Sequence, residues 1–315
     1  MPGEAIAIEG LVKRYAGANG GVVAVDRMHL RVAAGELFGL LGPNGAGKST
    51  TIGVCTTRVR PSAGRVAVGG VDVVADPPRA RAGMGVVTQY RALDRGATAW
   101  ENLYFHCRYF GWQPEASRRR ADELLVEFQL ADRRDSMPAS FSGGMAQRLQ
   151  IARAIAHRPT VLFLDEPTAG LDPQSRLAVW DLVRGLRTEG MTVLLTTHYI
   201  EEAERLCDQV AIVDHGKILV CDSPARLKQS SGAGAVARVS VERPDPELAT
   251  RLRALPGVTA VEPLPDGYRV LAQSRDGLAP AVAAAAQGFG LRDFSVQEPS
   301  LETIFIRLTG RELRE

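Results

Sequence analysis

The stretch Gly42-Pro43-Asn44-Gly45-Ala46-Gly47-Lys48-Ser49-Thr50 carries a Gly-x4-Gly-Lys-Ser pattern, whose residue types suit a polyphosphate. The glycines let the backbone curl with its N–H groups turned inward around an anion. A helix opening at Ser49 adds partial positive charge at the same place. Lys48 then reaches β- and γ-phosphates, and the Ser49 hydroxyl faces Mg2+. A second pair, Asp165-Glu166, ends the apolar run Val161-Leu162-Phe163-Leu164. Two adjacent carboxylates at the end of a buried strand cost desolvation unless they are exposed, metal-bound or paired. Asp165 suits Mg2+ held through water, and Glu166 suits a base aimed at the water that attacks a γ-phosphate.

Two further polar residues end apolar runs: Gln89 after residues 83–88, and His198 after residues 191–197. Each alone is an ordinary strand-end residue. Parallel strands in α/β folds deliver their C-terminal ends to one crevice, so Gln89, Asp165, Glu166 and His198 are expected to converge on the glycine-rich loop. Gln89 would then serve Mg2+ and the attacking water, and His198 the γ-phosphate. Leu37-Phe38-Gly39-Leu40-Leu41 supplies the buried strand before the loop. Ser142-Gly143-Gly144 opens a helix over residues 145–157, with Met145, Leu149, Ala152 and Ala156 on one face. A Ser-Gly-Gly helix start reads either as an ordinary N-cap or as a second anion-binding device.

The remaining elements follow from patterning. Residues 5–9 and 22–26 read as strands around a loop with Gly17, Gly20 and Gly21, and 29–32 leads into the Gly35-Glu36 turn. Tyr15 sits just ahead of that loop, where its ring can stack on an adenine; alone it reads as a half-buried strand-end tyrosine. A hairpin is expected around Gly69-Gly70. Residues 97–110 and 114–128 read as two helices of a small helical subdomain, about 97–157. Trp100, Tyr104, Phe105, Tyr109, Phe110 and Trp112 crowd that region; some must form its core, and Trp100, Glu101 and Tyr104 are expected near a groove for a partner's helix. A helix is expected over 175–187, after the turn Ala169-Gly170-Leu171-Asp172-Pro173.

A chain of 315 residues has room for two domains. The net charge of +2 argues against a nucleic-acid surface, so no nucleic-acid partner is expected. Cys55, Cys107, Cys207 and Cys221 are scattered and read as reduced thiols. No apolar run approaches the roughly 20 residues that cross a bilayer, and the N-terminal residues carry no apolar signal core. The chain is therefore expected in the cytoplasm, with any membrane span supplied by another chain.

In order and approximate spacing, the loop at Gly42 to Thr50, Gln89, the Phe141 to Met145 signature, Asp165-Glu166, the Ala169 to Asp172 turn and His198 resemble an ATP-binding cassette (ABC) nucleotide-binding domain over about residues 4–225. The resemblance implies an α/β P-loop NTPase cassette, a mixed-sheet core plus a helical subdomain, that binds and hydrolyses ATP with Mg2+. It implies head-to-tail pairing of two ATPase subunits, with Ser142, Gly143 and Gly144 acting on the partner's nucleotide, Tyr15 stacking on adenine and Asp172 linking the two sites. Catalytic roles fall to Glu166, His198, Lys48 and Gln89, metal contacts to Ser49, Gln89 and Asp165. The signature departs from the family pattern at Phe141, where leucine is usual, and at Met145, where glutamine is usual; Thr88 stands where proline is frequent.

Beyond the small-residue linker at residues 230–234 the pattern reads strand, helix, strand, strand, helix, strand, helix. That is the β-α-β-β-α-β order of a ferredoxin-like α+β domain. The expected domains are 1–229 for the cassette and 230–315 for this accessory domain. Ser300-Leu301-Glu302, Phe305 and Leu308-Thr309-Gly310 resemble the ending of ABC subunits that serve ABC-2-type permeases, many of them drug, polysaccharide or lipid exporters. The resemblance thus implies a transport ATPase, peripheral on the cytoplasmic face of the membrane, that drives a separate ABC-2-type permease. The rival class, a soluble ABC ATPase acting on ribosomes or nucleic acid, usually carries two cassettes, a long coiled coil or zinc-binding cysteines, and none of these is evident here.

Overall fold

The computed structural model describes residues 3–16, 21–89, 92–230, 234–298 and 300–309. Gly17, Gly20, residues 231–233 of the expected linker and Gly310 lie outside the described residues. The chain divides between Cys221 and Asp222 into two compact units.

In the first unit β1 (Glu4–Tyr15), β2 (Val22–Ala33) and β3 (Leu37–Leu41) lead to α1 (Lys48–Cys55). Then come β4 (Ala63–Val68), β5 (Val71–Asp72), α2 (Pro77–Ala82), β6 (Met84–Val87), α3 (Ala99–Tyr109), α4 (Pro114–Glu127) and α5 (Gly143–Ile155). β7 (Val161–Asp165), α6 (Pro173–Thr188), β8 (Thr192–Thr197), α7 (Ile200–Leu206), β9 (Gln209–Asp214) and β10 (Lys217–Asp222) complete it. One sheet has the order β2-β1-β4-β5, the other β10-β9-β3-β8-β7-β6. Within the second, β3 pairs parallel with β8 and β9, β7 with β8, and β6 with β7. β3, β7 and β8 are buried at every residue, which accounts for their unbroken apolar runs. The strand expected over 22–26 runs on through 29–32 as the single β2. Arg27 takes the left-handed conformation (φ 51°), and the register against β1 shifts there, so one irregular strand absorbs the break.

α3, α4 and α5 pack against one another. α3 starts with a capping box: the Thr98 hydroxyl accepts from Glu101 N–H while the Glu101 carboxylate accepts from Thr98 N–H. Phe128, Leu124 and Leu103 lie wholly inside this subdomain. Phe141 is buried too, which gives its aromatic ring a packing role at the position where leucine is usual.

The second unit holds α8 (Pro224–Ser230), β11 (Ala235–Val241), α9 (Pro246–Arg253), β12 (Val258–Leu264), β13 (Gly267–Ala272), α10 (Leu278–Ala285), β14 (Leu291–Gln297) and α11 (Leu301–Thr309). Its sheet order is β12-β13-β11-β14, antiparallel throughout. That is the ferredoxin-like arrangement, with β11, β13, α9 and α10 sharing one apolar core. α11 packs on α8, so the expected boundary at 229/230 falls at the end of a helix that belongs to this unit.

α5 lies so close to β6 that only glycine fits at residue 85. A Cβ there would stand 2.4 Å from the Ala154 carbonyl oxygen. Gly85→Ala is therefore expected to destabilise the first unit by about 1–3 kcal/mol through overpacking, read as a lowered thermal midpoint by circular dichroism.

Candidate functional site

The loop after β3 turns directly into α1, whose N-cap is Gly47 in the left-handed conformation (φ 102°). A Cβ at Gly47 would sit 2.3 Å from the Ala24 carbonyl oxygen, so the turn requires glycine on both counts. The loop walls a cavity of about 380 Å3, lined by residues 43–50 with Ala24, Gln89 and Glu166.

Lys48, only 4% exposed, points back along the loop, and its Nζ donates to the Gly42 and Pro43 carbonyl oxygens at 2.6 and 3.0 Å. The same ammonium stands 3.6 Å from Glu166 Oε1. Burial pulls the Lys48 pKa down, and the neighbouring Glu166 and Asp165 carboxylates oppose that shift. Ser49 Oγ donates to Asp165 Oδ1 at 3.0 Å. Asp165 also accepts from Thr196 Oγ1 at 2.6 Å, so two hydroxyls hold one carboxylate oxygen.

Glu166 occupies a sparsely populated conformation for a residue with a side chain (φ 51°), at a cost of order 1–3 kcal/mol. Its N–H donates to both the carbonyl oxygen and the hydroxyl of Thr196, which pins the turn. The strain carries the carboxylate off the strand direction and into the cavity. There His198 Nδ1 lies 3.4 Å from Oε1, and Gln89 Nε2 lies 3.4 Å from Oε2. The His198 contact is the largest influence on Glu166 and holds its carboxyl below the usual range, against the effect of burial and with help from Lys48. The folded value lies below the unfolded one. Its stabilising contribution is therefore present above the ordinary carboxylate range and lost as pH falls through the lowered value.

The four residues at strand ends thus meet at the loop: Gln89, Asp165, Glu166 and His198. Ser142, Gly143 and Gly144 do not line this cavity. Ser142 is an exposed N-cap of α5 that accepts from the Met145 N–H at 3.3 Å. Tyr15 is 41% exposed at the end of β1, under the Lys13 ammonium, and does not line the cavity either. Trp100 and Tyr104, expected near a groove for a partner's helix, face α4. They stack on each other at 4.9 Å, and Trp100 Nε1 donates to Asp122 of α4, so α4 claims that face of α3. The next face of α3 lines a separate cavity of about 540 Å3, with Glu101, Phe105, Tyr109, Phe110 and Arg153 among its walls. Thr196 was not foreseen at the site; the only sequence signal was a hydroxyl residue in an otherwise apolar strand end.

The donor set fits the groups that the sequence suggests. A buried ammonium and a loop of inward amides suit phosphates, and the Ser49 hydroxyl beside the Asp165 carboxylate, with the Gln89 amide near, forms a set of hard oxygen donors suited to Mg2+. Among the described residues no cluster of three or more His, Cys, Asp or Glu forms a metal centre, and no helix is long and apolar enough to cross a membrane.

Replacing His198 should release Glu166 toward its ordinary carboxylate value. His198→Ala is expected to move the Glu166 titration upward, measured by 13C NMR of the labelled side-chain carboxyl in nucleotide-free protein.

Comparison with known proteins agrees with this geometry. The profile described as "ABC transporter" matches residues 25–169, and the one described as "ATP-binding protein DrrA1-3-like, C-terminal domain" matches residues 223–309. The daunorubicin/doxorubicin resistance ATP-binding protein DrrA of Streptomyces peucetius is 41% identical over 98% of this chain and 94% of its own length. The Nod factor export ATP-binding protein I of Ralstonia nicotianae is 37% identical over 98% of this chain and 95% of its own. A dimeric, post-hydrolysis structure of the ATP-binding cassette MJ0796 with ADP and Pi superposes with a TM-score of 0.64 at 26% identity, over 69% of this chain and 98% of that one. The crevice in which Lys48, Asp165, Glu166 and His198 meet therefore belongs to a P-loop ATPase, and the chain is a member of the ABC transporter family of ATP-binding proteins with a DrrA-like C-terminal domain.

Proposed function

We propose that this chain is the motor subunit of an exporter, working as a homodimer on the cytoplasmic face of the membrane beneath a separate ABC-2-type permease. The observation that carries the reading is the match of both units, end to end, to relatives named for drug resistance and Nod factor export. Those names favour transport over action on ribosomes or nucleic acid. They also span unlike cargoes, which supports placing substrate choice in the permease.

In this reading the inward amides of residues 43–50 and the Lys48 ammonium hold the β- and γ-phosphates of ATP. Ser49, Gln89 and Asp165 hold Mg2+, which supplies positive charge to the phosphates. Glu166 takes the proton of the attacking water, and its lowered pKa keeps it ionised and ready at neutral pH. His198 holds the γ-phosphate. Ser142, Gly143 and Gly144, which stand apart from their own chain's loop cavity, meet the nucleotide of the second subunit, and Tyr15 stacks on its own subunit's adenine. Glu166→Gln is expected to bind ATP and lose about 100-fold or more in turnover, as removal of a general base does, whereas Lys48→Ala is expected to lose ATP binding. Steady-state phosphate release and equilibrium ATP binding measure the two. Rapid turnover by Glu166→Gln would refute the assigned base.

The cavity beside α3 is the best seat for the permease. Phe105 is 58% and Tyr109 85% exposed on its rim, more apolar surface than a subdomain needs for its own core. The tagged Glu166→Gln chain with MgATP should co-purify a multi-helix membrane protein from detergent-solubilised native membranes. Phe105→Ala with Tyr109→Ala should abolish that recovery while ATP binding is kept. Recovery of ribosomal proteins instead, with no membrane partner, would overturn the transport reading.

A further inference from the structure

Among the described residues, one acidic side chain outside the set described above is removed from water completely. Glu202, on α7 one turn beyond His198, is 0% exposed. Its Oε1 accepts from Thr168 Oγ1 at 2.8 Å and from Trp180 Nε1 at 2.9 Å. Thr168 lies just after Glu166, and Trp180 is on α6, the helix that Asp172 caps. Glu202 itself stands on the segment that carries His198, and the hydroxyl of Thr197 also faces it. A single carboxyl oxygen thus ties the chain bearing the proposed base to the chain bearing the proposed γ-phosphate ligand.

The arrangement is costly as plain packing. Glu202 Oε2 is buried with no hydrogen-bond partner, and so is Arg176 Nε. The Arg176 guanidinium lies over the Tyr199 ring, 4.3 Å from its centroid, and its charge also acts on Glu202. Burial pushes the Glu202 carboxyl up, against the nearby Thr197, Thr168 and Trp180 side chains and the Arg176 charge. An apolar side chain would fill the same space without that desolvation. It would not join α7 to α6 and to the turn after Glu166.

We propose that Glu202 is a positioning residue for ATP hydrolysis: by clamping Thr168 and Trp180 from the start of α7, it fixes where the Glu166 carboxylate stands relative to His198. This rests on the reading of Glu166 as base and His198 as γ-phosphate ligand. Misplacing a catalytic group by a fraction of an ångström slows turnover without weakening a phosphate grip made elsewhere. The clamp therefore acts on kcat and leaves ATP affinity to the loop.

The test compares Glu202→Ala, Glu202→Gln and Thr168→Val in the full chain with MgATP. Glutamine keeps an acceptor oxygen for both donors, and valine removes one donor at nearly constant volume. Glu202→Ala is expected to lose about tenfold or more in kcat with the ATP dissociation constant little changed. Glu202→Gln should recover kcat to within about twofold of the parent, and Thr168→Val should show the same split as alanine in milder form. Unchanged kcat in Glu202→Ala overturns the clamp, as does a glutamine variant as slow as alanine. If Glu202→Ala does not fold, Thr168→Val decides: parental kcat overturns the clamp. Glu166→Gln and His198→Ala are run alongside. Normal turnover in either removes the underlying reading, whereas slow turnover in both with a normal Glu202→Ala removes the clamp alone.

Discussion

The structure depends on a buried charge balance. Lys48 is almost wholly removed from water, and Asp165 and Glu166 are little better exposed. Each such ion alone costs several kcal/mol to bury, so none is tenable without the others and the dipoles around them. Lys48 is met by two loop carbonyls and Glu166; Asp165 by two hydroxyls; Glu166 by a lysine, an imidazole and an amide. These residues are far apart in sequence, so only a fold that brings several strand ends to one edge can supply the balance. The parallel sheet does that, and its strand order sets the details. β8 lies between β3 and β7, which puts Thr196 and His198 between the loop and the two carboxylates. The intervening strand is therefore the natural source of the hydrogen bonds that orient them.

Glu166 shows how the balance is reached. A strand leaves alternate side chains on opposite faces, and Asp165 and Glu166 are adjacent, so an undisturbed strand would send only one of them into the cavity. The left-handed turn at Glu166 breaks that alternation, so Glu166 lines the cavity while Asp165 meets the Ser49 hydroxyl beside it. Thr196 stabilises the break twice, through its backbone carbonyl and its hydroxyl, while the same hydroxyl donates to Asp165. One threonine thus sets the relative position of the proposed metal-ligating carboxylate and the proposed base. Glu202 extends this logic one layer outward, where α6 and α7 meet.

What was legible in the sequence is what local grammar dictates. The glycine-rich loop, the apolar strands and the polar residues that end them are short patterns. Their convergence follows from a general property of parallel sheets, so the meeting of Gln89, Asp165, Glu166 and His198 could be foreseen. The β-α-β-β-α-β order of the second unit was legible for the same reason. What escaped depends on which neighbour claims which face. Trp100 and Phe105 belong to one helix, and periodicity alone cannot say which of them meets α4. Asp122 decides it by accepting the indole N–H, leaving Phe105 and Tyr109 to the open cavity. Thr196 and Glu202 escaped because a threonine in a strand and a glutamate in a charged helical stretch look ordinary until their partners are known. The strand expected over 22–26 runs longer in the structure because pairing with β1 on both sides of Arg27 carries it through that irregular residue.

The charge balance also explains how such a site can respond to nucleotide. Lys48 and His198 both face Glu166. A polyphosphate entering the cavity brings negative charge to the same two groups and competes with the carboxylate for them. On the proposed reading, a carboxylate that loses these contacts becomes a better proton acceptor, because the lowered pKa of Glu166 is sustained mainly by the His198 contact and in part by Lys48. The same exchange gives β8 and the turn after β7 an electrostatic reason to adjust together when nucleotide binds, since the groups that trade partners stand on those two segments.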